Sequence, residues 1–107
     1  MAEMMDNQVL RARGLTVRFY TYAGVVHAVT EAYLNVYEGE TVAIVGETGS
    51  GKSVFTRALT GLIEPPGRVE AGSVLFKRKD GSVVDLAKLN KEELGEIRGY
   101  EIAYVFQ

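Results

Sequence analysis

Apolar residues in the first part of the chain follow the alternation that is typical of β-strands. Residues 9–22 (VLRARGLTVRFYTY) and 25–37 (VVHAVTEAYLNVY) both alternate, and Ala23-Gly24 between them is a turn signal. We expect two antiparallel strands here. The next run, TVAIV at 41–45, is β-branched without polar alternation, which is typical of a strand covered on both faces. It predicts a central strand of a parallel sheet.

The period of the apolar positions changes to that of a helix after this run. One apolar stripe recurs at helical spacing and consists of Val54, Phe55, Ala58, Leu59 and Leu62. The sequence EPPG at 64–67 then ends the pattern, because proline restricts the residue before it. The stripe therefore predicts a helix that follows residues 46–51.

The second half of the chain carries a hairpin signal. Asp80-Gly81 lies between two apolar runs, which predicts a tight turn between antiparallel strands. The basic residues beside the turn, 77–79, are interpreted as a solvated hairpin tip that protects a strand edge.

The last two predicted elements are a short helix and a strand. Asn90 and Glu93 have the spacing of a capping box, so we expect a helix in KEELGEIR at 91–98. The final segment, EIAYVFQ at 101–107, predicts one more strand, and the chain ends as that strand ends.

Composition and charge indicate a single globular domain. The 107 residues are 47% hydrophobic and 24% charged, close to the average of folded soluble domains. A net charge of -2 provides no basic field for nucleic acid or anionic lipid. The absence of cysteine excludes disulfides and thiolate metal sites and is consistent with a reducing compartment. No secretory signal and no apolar run of about 18 residues is visible, so we expect membrane contact only through a partner.

The strongest chemical motif is IVGETGSGKS at 44–53. Gly46, Gly51, Lys52 and Ser53 match the P-loop pattern G-x-x-x-x-G-K-[ST], with a predicted strand before it and a predicted helix after it. Glycines let backbone N–H groups approach an anion closely, and the start of a helix adds donors and positive potential. Lys52 supplies charge to the β- and γ-phosphates, and the Ser53 hydroxyl suits Mg²⁺. The predicted ligands are a nucleoside triphosphate and magnesium.

Other candidate residues have plainer interpretations. Glu47 lies inside the loop, but its place between glycines favours a solvent-facing side chain over a general base. His27 has no second histidine or carboxylate at ligand spacing, so we assign it to packing. A glycine-rich turn with a merely solvated lysine is the alternative to the P-loop itself.

Four stretches carry a family resemblance, namely residues 15–29, 36–63, 72–76 and the closing RGYEIAYVFQ at 98–107. With them the chain resembles the N-terminal part of an ATP-binding-cassette (ABC) ATPase, most closely the ATP-binding subunits of dipeptide/oligopeptide importers. The resemblance implies an α/β fold of the P-loop NTPase class. It consists of an N-terminal antiparallel β subdomain and the start of a parallel-sheet core, with residues 1–107 forming the N-terminal portion of a single ATP-binding domain.

The resemblance also implies residue roles. Phe19 falls where the family places an aromatic that stacks on adenine, with Tyr20 and Tyr22 as neighbouring candidates and a buried strand aromatic as the alternative. Gln107 occupies the place of the loop glutamine that contacts Mg²⁺ and the attacking water. The catalytic candidates are thus Lys52 and Gln107, and the metal candidates are Ser53 and Gln107. The ATP-binding candidates are Phe19, Gly46, Glu47, Thr48, Gly49, Ser50, Gly51, Lys52, Ser53 and Val54.

The partners implied by the resemblance are a second ATPase subunit, as a homo- or heterodimer, and transmembrane permease subunits, with no nucleic acid. The resemblance also implies a peripheral location at the cytoplasmic face of the membrane. It further implies that ATP hydrolysis is coupled to peptide uptake. The family's Walker B aspartate, signature motif and switch histidine are absent from the sequence, so we expect a fragment that hydrolyses ATP negligibly by itself. The alternatives are a nucleotide-binding fragment without turnover, an ABC ATPase for nickel or sugar, and another P-loop enzyme such as a kinase.

Overall fold

The structure is a computed structural model that describes residues 7–46, 51–99 and 101–103. Four strands form one antiparallel sheet in the order β2-β1-β3-β4. Within the described residues, two short helices accompany the sheet. In chain order the elements are β1 (Gln8–Thr21), β2 (Gly24–Tyr37), α1 (Lys52–Leu59), β3 (Gly67–Lys77), β4 (Val83–Asp85) and α2 (Lys91–Ile97). Within these described ranges, none of the helices is both long enough and apolar enough to cross a membrane.

The antiparallel part of the predicted fold is confirmed. β1 and β2 pair from Thr21 opposite Gly24 at the turn to Gln8 opposite Tyr37 at the far end. The predicted hairpin around Asp80-Gly81 is also present as β3 and β4. Alternation of apolar and polar residues is therefore a sound guide wherever two strands are neighbours along the chain.

The core lies on one face of β1, which is the sheet's most enclosed strand. The side chains of Ala12, Leu15 and Val17 are buried, as is Val74 on the neighbouring β3. Helix residues Ala58 and Leu59 of α1 belong to the same cluster. Burial of one apolar face by the helices stabilises the sheet, because apolar surface is removed from water.

Helix α1 forms as predicted but ends at Leu59, before Leu62. The reason is a Schellman motif centred on Gly61, whose φ of 76° reverses the chain. The N–H of Gly61 donates to the carbonyl oxygen of Ala58, and that of Leu62 donates to the carbonyl oxygen of Arg57. These bonds satisfy carbonyl groups that the end of the helix would otherwise leave free.

Helix α2 begins with the predicted capping box. The N–H of Glu93 donates to the Asn90 side chain at 2.8 Å, and the N–H of Asn90 donates to the Glu93 carboxylate at 3.1 Å. Leu94 of this helix packs against Gly61 so closely that a Cβ on Gly61 would lie 2.7 Å from a Leu94 methyl carbon. The chain at the C-terminal end of α1 therefore contacts α2.

Two predicted strands are not formed in the described residues. The run 41–45 pairs with none of the described strands, and Val45 is 86% exposed. A strand exists through hydrogen bonds to its neighbours, and none of the four described strands forms a hydrogen-bonded ladder with this segment. In the predicted strand 101–107, Ile102 makes one isolated bridge to Arg98. Residues 104–107 lie outside the described residues.

Arg78 departs from the predicted solvated hairpin tip, because its side chain is paired with an acid. Its guanidinium contacts the carboxylate of Glu101 at 2.7 Å, and both side chains are largely covered. One basic residue of the tip therefore forms an ion pair and is not merely solvated.

Candidate functional site

Lys52 joins the two ends of the predicted P-loop. Its Nζ donates a hydrogen bond of 2.6 Å to the carbonyl oxygen of Gly46. The other predicted loop residues, Glu47, Thr48, Gly49 and Ser50, lie outside the described residues, as does Gln107. Of the predicted ATP-binding set, the structure thus brings Gly46, Gly51 and Lys52 together at one place.

These residues border an open cavity of about 350 Å³. Part of its wall is apolar and comes from β2 and α1, where Ala28, Val29 and Phe55 line it. Ile44, which precedes the predicted loop, lines the cavity together with residues of β2. Gly51, which follows the loop, lines it where α1 begins. The cavity therefore lies at the N-terminal end of α1, where the N–H groups of the first turn have no acceptor inside the helix.

Gly51 determines how α1 begins. It is the N-cap residue with a φ of 91°, a left-handed conformation that favours glycine. A Cβ at this position would lie 2.7 Å from the carbonyl oxygen of Ala28 in β2. The glycine thus lets the start of the helix approach the strand.

The charge at this helix start suits an anion. The first turn contains Lys52, Ser53 and Val54, with no acidic residue to offset the positive end of the helix dipole. Lys52 and Ser53 are both exposed, so their polar groups are accessible from solvent. No cluster of three histidine, aspartate or glutamate side chains able to hold a metal ion occurs within the described ranges.

The predicted adenine aromatic, Phe19, lies in β1 and is not among the described residues that line this cavity. Its ring covers Gly67 of β3, where a Cβ would lie 2.5 Å from Cε2 of the ring. The guanidinium of Arg68 lies over the ring of Tyr20, 5.1 Å from the ring centroid. Tyr22 is fully exposed at the turn between β1 and β2.

Sequence reasoning missed the contacts that close this site. The Lys52 bond to Gly46 and the approach of Gly51 to Ala28 depend on tertiary placement. His27 is exposed on β2, opposite Arg18 of β1.

Comparison with known proteins extends this picture. A family model described as ABC transporter matches residues 29–107. The dipeptide transport ATP-binding protein of Lactococcus lactis subsp. cremoris is 42% identical over 97% of this chain and 28% of its own length. That of Bacillus subtilis is 44% identical over 94% of this chain and 29% of its own. The glutathione import ATP-binding protein of Salmonella typhimurium is 40% identical over 98% and 17%, respectively.

The chain spans less than a third of the length of these relatives. The matches confirm the predicted resemblance to ATP-binding subunits of peptide importers, and the family match implies the predicted ATP ligand. They also confirm the predicted fold class, since an antiparallel sheet joined to a P-loop helix fits the N-terminal part of such an ATPase. The chain belongs to the ABC transporter family.

Proposed function

We propose that this chain supplies the P-loop part of an ATPase subunit that drives peptide import across a membrane. The observation that carries the proposal is the position of Lys52. This lysine lies at the N-terminal end of α1, and its ammonium group donates to the carbonyl oxygen of Gly46. The names of the relatives, which include dipeptide, oligopeptide and glutathione importers, support peptides as the substrate class. Residues 1–107 would form the N-terminal portion of a single ATP-binding domain.

The β- and γ-phosphates would occupy the cavity at the start of α1. There Lys52 exchanges its bond to the Gly46 carbonyl for bonds to phosphate oxygens, because a charged acceptor forms the stronger hydrogen bond. The backbone N–H groups of Gly46, Glu47, Thr48, Gly49, Ser50, Gly51, Lys52, Ser53 and Val54 would enclose the same phosphates. This arrangement explains why the first turn of α1 carries a lysine and no acid.

Magnesium would be held by the Ser53 hydroxyl and by the side-chain oxygen of Gln107. The accessible hydroxyl of Ser53 in the first turn of α1 fits a hard cation that retains waters and phosphate oxygens as its other ligands. When bound, Mg²⁺ neutralises charge on the phosphates. In the whole protein, Lys52 and Gln107 would be the residues of this chain that take part in hydrolysis.

Adenine would stack on an aromatic near the β1-β2 turn. Phe19 is the residue to which the family resemblance assigns adenine stacking, but its ring packs against Gly67. One face of Tyr20 is taken by Arg68. The fully exposed ring of Tyr22 is therefore our preferred platform, because stacking requires an accessible aromatic face.

The partners in this proposal are a second ATPase subunit and transmembrane permease subunits. They would place the chain peripherally at the cytoplasmic face of the membrane. The relatives' names as transport and import proteins support such an assembly. A nickel or sugar importer, or a nucleotide-binding chain without turnover, is the competing interpretation.

A chimera tests the function. Residues 9–107 replace the matching segment of the Bacillus subtilis dipeptide transport ATP-binding protein, and dipeptide uptake is measured in cells that lack the native subunit. We expect the chimera to restore uptake, a Lys52→Ala chimera to fail, and a chimera with Lys88→Ala at an exposed site away from the loop to behave as the parent. Uptake that is absent from a stably produced, ATP-binding chimera would refute the peptide-import assignment.

A further inference from the structure

A second cavity, of about 490 Å³, is lined by the end of α1, the start of β3 and α2. Ala58, Val69 and Leu94 represent these three elements in its wall. The cavity shares no lining residue with the one at the P-loop, which borders the opposite end of α1. Its volume lies within the range of about 300–1,000 Å³ that is usual for small-molecule sites.

The walls of this cavity are fixed by contacts within the chain. Gly61 and Leu94 pack so closely that a Cβ on the glycine would lie 2.7 Å from a leucine methyl carbon. The ring of Phe19 covers Gly67 in the same way, with 2.5 Å to such a Cβ. The side chain of Asn90 is held in the capping box of α2. A ligand would therefore enter a cavity that is already formed, which reduces the cost of ordering the protein on binding.

The lining combines apolar and cationic side chains. Leu86 and Leu94 are buried and provide apolar surface. The cations of the lining are Arg68, Lys91 and Arg98. Among the described residues that form the lining, Glu64 is the only acid. Three positive charges against one negative charge favour an anionic ligand, and the apolar surface favours one that also carries an apolar part.

Arg98 is the cation best suited to bind that anion. Its Nε is buried and has no hydrogen-bond partner among the described residues. Arg68, by contrast, is already paired with Glu70 at 3.2 Å. A buried donor without a partner destabilises the protein, because it has lost its bonds to water. A rotation of the Arg98 side chain that brings Nε to a carboxylate oxygen would remove this cost and form a charge-assisted bond.

We propose that this cavity binds a small molecule that carries one carboxylate on an apolar body. Arg98 binds the carboxylate through its planar guanidinium, and Lys91, which is exposed beside it in the lining, adds positive potential. The apolar body lies against Leu86 and Leu94. A fatty acid and the free C-terminus of a short apolar peptide both have this chemistry. The site is independent of ATP, so the proposal does not rest on the proposed function.

Calorimetric titration of the chain tests the ligand class. The probes are octanoate, for a fatty acid, and N-acetyl-dileucine, for a peptide C-terminus. We expect at least one of them to bind at a single site, and the tighter one identifies the source of the carboxylate. Octanol lacks the charge and acetate lacks the apolar body, so each should bind at least about tenfold more weakly. No binding of either probe by the folded chain, or equal affinity for octanol and octanoate, would overturn the proposal.

Substitutions locate the site, with the tighter-binding carboxylate as the probe. Arg98→Gln should weaken binding about tenfold or more, because a charge-assisted bond is lost. Arg98→Lys keeps the charge but loses the planar fork and should give an intermediate affinity. Lys91→Gln should weaken binding only about two- to threefold, since an exposed charge contributes little.

The matched control is Lys88→Gln, which removes a cation outside the lining and should keep the parental affinity. Parental affinity in Arg98→Gln would overturn the proposal. If Arg98→Gln does not fold, Arg98→Lys decides in its place, and parental affinity in that variant has the same meaning.

Competition separates this site from the P-loop. The carboxylate probe should bind with unchanged affinity in saturating tripolyphosphate, and Lys52→Ala should bind it as the parent does. Displacement of the probe by tripolyphosphate would overturn the proposal, because it would place the probe at the P-loop. Failure of the proposed function alone would appear as a chain that binds the carboxylate probe but not ATP.

Discussion

The ammonium group of Lys52 lies 2.6 Å from the carbonyl oxygen of Gly46, so a single charged hydrogen bond spans the two ends of the P-loop. The bond is exposed, and it occupies the same side-chain atom that the proposal assigns to phosphate. Lys52 therefore has a role in the loop before any ligand arrives, and ATP has only a weak, solvent-accessible contact to replace.

The weakness of this contact can be measured. Lys52→Ala should change the free energy of unfolding by no more than about 1 kcal/mol, because an exposed single bond contributes little. Urea denaturation of the chain without nucleotide provides the value, with Lys88→Ala as the control lysine. A loss well above that range would mean that Lys52 is chiefly a structural residue.

Gly51 should tolerate no side chain. Gly51→Ala places a Cβ 2.7 Å from the Ala28 carbonyl oxygen and also strains a φ of 91°. The matched control is Gly81→Ala, which has a φ of 89° but open space around the added carbon. We expect the control to cost about 1–2 kcal/mol of unfolding free energy from backbone strain alone. Gly51→Ala should cost more than the control, and equal losses would show that Ala28 does not crowd the helix start.

Helix α2 offers two substitutions of opposite sign. Gly95 is exposed within the helix and has open space around it, so Gly95→Ala should stabilise the chain by about 0.5–1 kcal/mol through helix propensity. Asn90→Ala removes the capping side chain and should destabilise by about 1 kcal/mol. Both values come from thermal or urea unfolding. Destabilisation by Gly95→Ala would contradict the assignment of a regular helix at that residue.

Acid should loosen the hairpin tip. The hydrogen bonds from Arg78 and from the Lys79 N–H lower the pKa of Glu101 below its ordinary value of 4.5. The side-chain and backbone hydrogen bonds from Ser82 lower the pKa of Asp80 below 3.8. A depressed pKa in the folded state gives stability that is full above the ordinary pKa and is lost as pH falls through the folded value.

The unfolding midpoint should therefore fall as the pH drops below about 4.5, and less steeply in Glu101→Gln. Thermal unfolding from pH 6 to pH 3 measures this slope. Identical slopes for the parent and Glu101→Gln would show that folding does not lower the pKa of Glu101.

Local signals in the sequence predicted the local parts of the fold. Alternation identified β1 and β2, and the spacing of Asn90 and Glu93 identified the capping box, because each depends on residues close together in the chain. The helix after the P-loop was predicted from its apolar stripe. Its earlier end at Leu59 follows from Gly61, a C-terminal signal that the sequence also contains.

Contacts between distant segments could not be predicted in this way. The run 41–45 has the composition of a buried strand, but composition does not supply the neighbours with which a strand pairs. Likewise, nothing in the sequence connects Arg78 with Glu101, since their contact depends on how α2 and the hairpin meet. At the site, the motif predicts a phosphate-binding role for Lys52, whereas its bond to the Gly46 carbonyl depends on tertiary placement that the sequence does not specify.

The most direct test of the account is calorimetric titration of the chain with ATP, tripolyphosphate and adenosine in the presence of Mg²⁺. If the start of α1 binds phosphates, ATP and tripolyphosphate should both release heat at one site and compete with each other, whereas adenosine should not displace tripolyphosphate. Lys52→Ala should weaken both ligands at least about tenfold, since losing a charged hydrogen bond costs about 1.5–3 kcal/mol. No heat from the folded parent chain, or parental affinity in Lys52→Ala, would contradict the account.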